Sequence, residues 1–441
     1  MIQLNGASRV YLIVGDPIAQ VKSPAGVTDT FQKNGMNALV IPAHVSPSDF
    51  HDFAQVIAKA QNFDGIVVTV PHKFAAYDIC NQYSERSSFL KAVNVIKRSS
   101  SGGWYGDMCD GAGFYAAAQK NGGSVKGKKA LVVGAGGAGM SAALFAAIDG
   151  AKVLLVEGTE YVGGTTAYSA GTTWIANTPE GLSVNKSDTL EAAKTFLDAA
   201  VGSYAPEAMR AAFVNNGYKA VEHIQKNSDV KYIVRPTHPD YISDLPGAVM
   251  RGRAIEPISF DGRLLGENFK LIRPPIPEFT VLGGMMVDRD DIGHLLKITK
   301  SFKSFIYSTK IIIRHGIDRL KYSRGTRLVM GNALIARLLF SLLKRDASVL
   351  VSTKLEDILI EGDQVKGVVL SQSGVTKNII VSKAVILASG GFNRHPTRRS
   401  EMLPGISQDW CPAAPGHQGA AHDIVLAKGA SYGEGALSNA F

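Results

Sequence analysis

The chain has 441 residues, 45% of them hydrophobic, with 46 glycines, only 19% charged residues and a formal net charge of +9. That composition excludes a disordered or fibrous protein and provides enough apolar material for two or three compact domains. The densest basic stretch, Lys297 to Arg327, reads as a solvated helix face rather than a surface for nucleic acid or membrane. Cys80, Cys109 and Cys411 are widely spaced, which fits reduced thiols and neither a disulfide framework nor a metal site. The N-terminal MIQLNGASRVYLIVGD lacks the charged start and unbroken apolar run of a secretory signal, and no apolar stretch reaches about 18 residues. The reading is a cytoplasmic protein with a small-molecule substrate.

In chain order, short β-branched runs alternate with helical segments: VYLIV near residue 10, ALVIPA near 38, GIVVTV near 65, ALVVG at 130, KVLLVE at 152 and AVILAS at 384. This is the pattern of an α/β fold with mostly parallel sheets. KNGGSVKGKK, Lys120 to Lys129, interrupts it and marks a boundary between domains. A helix through TLEAAKTFLDAAV is predicted with Ser187 or Asp188 as its cap, and Pro206 opens the next. Residues from about 185 to 325 read as a helix-rich excursion. NALIARLLFSLLKRD then reads as an amphipathic helix, followed by a strand at ASVLVS and a hairpin at ILIEGDQVKGVVLSQSG.

Four segments of the first 115 residues carry polar chemistry at strand ends: GDPIAQVKSP (Gly15 to Pro24), VVTVPHK (Val67 to Lys73), AVN (Ala92 to Asn94) and GDMCDGAGF (Gly106 to Phe114). A lysine beside an aspartate can hold and shuttle the proton that leaves a hydroxyl as its hydride goes to a nicotinamide. In order and approximate spacing these segments resemble the shikimate and quinate dehydrogenases. The resemblance implies that Lys73 and Asp110 are the catalytic pair and that Ser23, Thr69 and Asn94 bind the hydroxyls or carboxylate of a polyol acid. His72 is taken as structural. Val21 replaces a second serine of that family, and Val27 and Thr28 replace its His-Asn, so ordinary shikimate is expected to be a poor substrate.

GAGGAG, Gly134 to Gly139, follows a strand and precedes a helix. Gly134 permits the tight turn, Gly136 lets backbone approach a pyrophosphate, and Gly139 lets helix and strand pack closely. Nicotinamide and flavin enzymes share such a loop. The next strand ends on Glu157, whose carboxylate can accept hydrogen bonds from a ribose and would repel the 2′-phosphate of NADP.

The following YVGGTTAYSAGTTWIANT resembles the corresponding loop of the fumarate reductase and 3-ketosteroid 1-dehydrogenase flavoproteins, and DGRLLG, GGMMVDRDD, RGTRLVMGNALIARLL and VILASGGFNRHP continue the resemblance to the C-terminus. It implies FAD, with Gly163, Gly164, Thr165, Thr166 and Ser169 wrapping the pyrophosphate and flavin edge and Gly390 and Gly391 making a second backbone approach. Tyr241, in HPDYISDLPGA, matches a tyrosine of the steroid pocket or packs on its loop. The organisation expected is a shikimate dehydrogenase-like α/β domain over residues 1–125, a Rossmann-type FAD-binding domain over 127–395, and the start of a truncated capping domain over 396–441. The expected function is FAD-dependent dehydrogenation or reduction of a C–C bond. An NAD(P)-dependent dehydrogenase of the shikimate type and an inactive chimera are the alternatives.

Overall fold

In a computed structural model, residues 5–19, 21, 23–69, 71–84, 87–88, 92–99, 103–109, 128–362, 364–382, 384–402 and 404–430 are described. The chain divides into two compact units, Met1–Ser124 and Val125–Phe441.

In the first unit the apolar runs become a six-stranded sheet, because strands covered on both faces read as continuous β-branched segments. The strands are β1 (Arg9–Gly15), β2 (Ala38–His44), β3 (Phe63–Val68), β4 (Gln82–Tyr83), β5 (Val95–Arg98) and β6 (Trp104–Asp107), in the order β2-β1-β3-β5-β6-β4. Both β2 and β3 pair parallel to β1, while β5 runs antiparallel to β3. Helices α1 (Ser23–Lys33), α2 (Phe50–Lys59) and α3 (Ala75–Asp78) connect them. Val14, Phe50, Ile66, Val93 and Ile96 form the centre of the core. The buried His72 stacks on Phe50, and its Nε2 donates to the Val45 carbonyl at 2.8 Å, so this histidine is part of the packing. Burial likewise pushes the Cys80 thiol up to about 12.

The second unit is built on a four-stranded parallel sheet of order β16-β8-β7-β20. Its members are β7 (Lys129–Val133), β8 (Lys152–Val156), β16 (Ser348–Leu350) and β20 (Val385–Leu387), with α4 (Gly137–Ile148) crossing from β7 to β8. An antiparallel sheet of β17 (Thr353–Glu361), β18 (Gln364–Gln372) and β19 (Val375–Ile380) packs on it through Val368 and Leu370, which meet Leu131, Val133 and Val156. Helix α5 (Pro179–Val184) precedes the excursion, and within it lie α6 (Leu190–Val201), α7 (Glu207–Asn227), α8 (Arg289–Leu295) and α9 (Phe302–Arg319). Short strands accompany them: β9 (Thr173–Trp174), β10 (Tyr232–Val234) and β11 (Ala254–Pro257) form one sheet, and β12 (Phe260–Asp261) pairs with β15 (Arg327–Leu328), as β13 (Thr280–Val281) does with β14 (Met285–Met286). Then α10 (Met330–Leu343) leads to β16, and α11 (Arg398–Met402) and α12 (Ala420–Ala427) end the described chain.

Two local expectations are corrected. The cap of α6 is Thr189, whose side chain accepts from the Ala192 N–H at 3.1 Å. Asp188 is withdrawn from capping because its carboxylate takes both Nε and Nη2 of Arg253, at 2.9 and 2.6 Å. Helix α10 is enclosed on nearly every side rather than amphipathic; Gly331 to Ala336, Leu338, Leu339, Ser341 and Leu342 are all buried. It lies within the main core, among residues of α4 such as Met140 and Leu144, and Arg337, Phe340 and Lys344, which keep some exposure, fall three and four residues apart on one narrow face.

Arg253 is the largest fully buried side chain and is held by Asp188 and, through Nη1, by Asp240 at 2.9 Å. Asp240 also accepts from Trp174 Nε1 at 2.6 Å, and the Trp174 ring lies 5.5 Å from the guanidinium. Two buried carboxylates thus share one cation. Replacing Arg253 with Met would leave both uncompensated and is expected to cost about 3–5 kcal/mol. Urea unfolding followed by Trp fluorescence measures it; a loss below about 1 kcal/mol, the size of an exposed ion pair, would contradict the account.

Candidate functional site

In the first unit, the expected residues gather at the C-terminal edge of the parallel strands, where ligands of open α/β sheets bind. Thr69 follows β3 and its N–H donates to the Val14 carbonyl at 2.9 Å. Asn94 is buried; its carbonyl accepts from the Val68 N–H at 2.7 Å and its Oδ1 from the Cys109 N–H at 2.6 Å. The half-buried Lys73 lies in the turn after β3, tied by its own carbonyl to the Val93 N–H at 2.9 Å. Ser23 begins α1 and is exposed. Asp110 lies outside the described residues. Thr28, which departs from the family pattern, is buried and accepts from the Val40 N–H, so it serves the fold.

In the second unit, β7 ends at Gly134, whose φ of +104° suits glycine alone among ordinary residues. A Cβ there would overlap the Ala388 backbone, and one on Gly139 would overlap the Gly134 carbonyl oxygen. These two glycines therefore let strand, helix and β20 meet. Gly136 differs. Its φ of −76° and ψ of −177° are open to any residue, and nothing lies within 4 Å of where its Cβ would stand. Neither backbone nor packing asks for glycine there, so what glycine preserves is free space at the N-terminus of α4.

That space is a pocket of about 200 Å³ that continues into a larger part of about 420 Å³, the two forming one groove. Gly134, Glu157, Ser389 and Gly416 border both parts. Gly136, Gly164, Thr165, Thr166 and Gly390 line the smaller one with Arg273 and His417. Gly163, at φ +121°, sits beneath against Ala167 and Ile335 and supports the loop, as Gly139 supports the helix. Ser169 Oγ donates to the Thr166 carbonyl at 2.9 Å and accepts from the Gly171 N–H at 3.0 Å, so it shapes the loop from within. The Gly391 carbonyl accepts from the Gly419 N–H at 3.2 Å. Tyr241 is 91% exposed, with the His238 ring 5.9 Å from its own.

Glu157 is fixed from two sides. Its Oε2 accepts from the Ala135 N–H at 3.0 Å, and its Oε1 accepts from the Thr159 N–H and Oγ1 at 2.9 and 2.8 Å. Thr159, Arg273 and His417 were not singled out from the sequence. Arg273 is buried, donates to Thr159 Oγ1 at 2.6 Å, and has its Nε buried without a partner among the described residues. His417 Nε2 lies 3.0 Å from Thr165 Oγ1, which also accepts from the Ala414 N–H at 3.0 Å. Burial holds the His417 imidazole below its usual range, with the nearby Arg273 and Arg394 acting in the same direction and Glu157 opposing. Glycine space at a helix N-terminus, a fixed carboxylate at the next strand end and a buried guanidinium together fit a dinucleotide: pyrophosphate at Gly136, ribose at Glu157.

Comparison with known proteins agrees. Residues 13–96 match the family model described as shikimate dehydrogenase substrate binding domain. The shikimate dehydrogenase (NADP(+)) of Acidiphilium cryptum is 32% identical over 152 residues, 34% of this chain and 54% of that protein. The 4-oxocyclohex-2-ene-1-carboxylate 5-dehydrogenase of Sinomonas cyclohexanicum is 34% identical over 304 residues, 68% of this chain and 51% of that protein. Among solved structures, the 3-ketosteroid Δ1-dehydrogenase of Sterolibacterium denitrificans superposes with a TM-score of 0.62 at 29% identity, over 68% of this chain and 55% of that one. The chain spans about half the length of the relatives it matches. Both resemblances carried by the motifs are thereby shown. Residues 129–441 match the model described as FAD binding domain, and the chain belongs to that family of FAD-binding oxidoreductase domains, joined to a shikimate dehydrogenase-like first unit.

Proposed function

We propose that the second unit binds FAD in the groove over Gly136 and serves the dehydrogenation of a ring ketone at a C–C bond. The observation that carries the reading is the empty volume above a glycine that neither φ nor packing requires. In this reading the N–H groups at the start of α4 and the hydroxyls of Thr165 and Thr166 hold the pyrophosphate, the Arg273 guanidinium offsets its charge, and Glu157 accepts from a ribose hydroxyl. Bound FAD supplies the hydride acceptor. The substrate class follows from what the relatives' names state, a cyclohexenone carboxylate and a 3-oxosteroid, and is supported by kinship over 68% of the chain.

Two glycine substitutions separate binding from folding. Gly136→Val places a side chain in open space, so it should leave the melting temperature within a few degrees while abolishing flavin fluorescence quenching on titration. Gly139→Val should instead destabilise the unit, because its Cβ meets the Gly134 carbonyl. Unchanged FAD affinity in Gly136→Val would remove the groove from consideration. Glu157→Ala should weaken FAD by about 10–100-fold, the equivalent of about 1.5–3 kcal/mol for a charged hydrogen-bond acceptor.

For the first unit, the reading is a polyol-acid binding module with Lys73 and Asp110 as proton-handling pair, supported by Thr69, Asn94 and Lys73 gathering at one sheet edge. Glu157 stands against NADP, and Val21 removes a hydroxyl contact worth roughly 1–3 kcal/mol where it leaves a polar group unpaired. Shikimate oxidation with NADP, followed at the nicotinamide absorbance, is therefore expected to be absent or very weak. Robust turnover would overturn that assignment of Glu157.

A further inference from the structure

A surface helix ordinarily turns its apolar stripe to the core and its polar residues to water. Helix α9 buries Ile311 in a small apolar cluster but otherwise departs from this pattern. The residues it buries are Ser304, Ser308, Ile311, His315 and Asp318, spaced three and four apart along one face. Polar contacts hold that face: Ser304 Oγ lies 3.0 Å from His294 Nδ1, His315 Nε2 donates to the Leu282 carbonyl at 3.0 Å, and Asp318 Oδ2 accepts from the Thr326 N–H and Oγ1 at 2.8 and 2.7 Å.

On the opposite side stand Phe302, Ile306, Ile313, Ile317 and Leu320, all exposed, with Leu320 at 88% and Phe302 at 79%. At about 100° per residue these five fall within roughly 60° of arc, centred roughly 170° from the buried face, and the stripe runs roughly 27 Å along the helix. Isolated exposed apolar side chains need no account, but a continuous stripe of this length marks a contact surface.

The charge around it narrows the partner. Residues 297–327 contain nine lysines and arginines against the single acid Asp318, a net +8 out of the chain's +9. Arg314 and Arg327 are paired with Asp261 and Asp291, and Arg324 is drawn inward over the Phe269 ring at 4.8 Å. Lys297, Lys300, Lys303, Lys310, Arg319 and Lys321 are exposed, and among the described residues none of them belongs to an ion pair within 4.0 Å. On the helical wheel Lys303, Lys310 and Lys321 border one side of the stripe, and Arg319 lies beyond Phe305 on the other. Nucleic acid would use the cations but not the isoleucines. A bilayer with anionic headgroups uses both.

We propose that α9 docks the protein flat on a membrane surface rich in anionic phospholipid, its stripe entering the boundary between headgroups and acyl chains and its lysines facing headgroup phosphates. Docking is not spanning: among the described residues no helix is long and apolar enough to cross a membrane. The proposal is independent of the flavin reading.

Flotation of the full chain through a sucrose gradient tests it, with vesicles of phosphatidylcholine alone or mixed with phosphatidylglycerol; flotation separates binding from aggregation, which sinks. The chain is expected to rise with the mixed vesicles only and to be released by high salt. Both the F302S/I317S/L320S variant and the K303Q/K310Q/K321Q variant should lower the bound fraction at least about tenfold, with thermal transition and FAD affinity unchanged. Failure of the chain to float, equal flotation with phosphatidylcholine alone, or unaltered flotation of both variants would overturn it. So would a dimer in the absence of lipid that F302S/I317S/L320S converts to monomer, since the stripe would then be covered by a second copy.

Discussion

The second unit depends on the absence of side chains where β7, α4 and β20 converge. Gly134 and Gly139 bring the helix within contact distance of the strand that precedes it, and Ala388 of β20's extension closes on the same point. That approach aims the α4 N-terminus into the groove. A similar crossing fixes the other wall: a Cβ on Gly331 of α10 would overlap the Thr166 carbonyl, the Gly331 N–H donates to the Ser169 carbonyl at 3.0 Å, and Asn332 Nδ2 donates to the Ala167 carbonyl at 2.8 Å. The cofactor loop from Gly163 to Ser169 is thus held by a helix more than 150 residues later in the chain. A groove whose walls are tied to each other in this way is formed before its ligand arrives, and preformed walls lower the ordering cost of binding.

The strands and the glycine loop were legible because local rules set them. Parallel strands show as apolar runs, and a glycine before a helix shows as spacing. Glu157 was legible for the same reason, since it ends the strand that follows. Arg273 and His417 were not, because each reaches the groove from a segment more than 100 residues from the loop it touches, and no local pattern sets an arginine or histidine apart. Thr189 took the capping role expected of Ser187 or Asp188 because Asp188 answers to a buried guanidinium 65 residues away. Tertiary charge outweighed local preference there.

The sequence reads α10 as amphipathic and the basic stretch holding α9 as a solvated helix face, and in the structure both helices bury polar side chains. Periodicity shows that a helix has faces but not what each face meets. In α10 the polar positions Asn332 and Ser341 are buried because they bond to backbone, Asn332 to Ala167 and Ser341 to the Asp229 N–H at 3.0 Å. In α9 His315 bonds to the Leu282 carbonyl, Asp318 to the Thr326 N–H and Ser304 to the His294 ring, while Phe302, Ile306, Ile313 and Ile317 stand outside. Polar groups that find partners can be buried, and the apolar stripe then goes wherever space remains.

The central claim is that the groove over Gly136 is a flavin site. The most direct measurement is the visible absorbance of the full chain after incubation with excess FAD and passage through a desalting column. Flavin absorbance eluting with the protein, and a raised melting temperature with FAD but not with NADP, is the predicted result. Flavin that washes away completely, together with thermal stabilisation by NADP, would contradict it and return the loop to the nicotinamide reading.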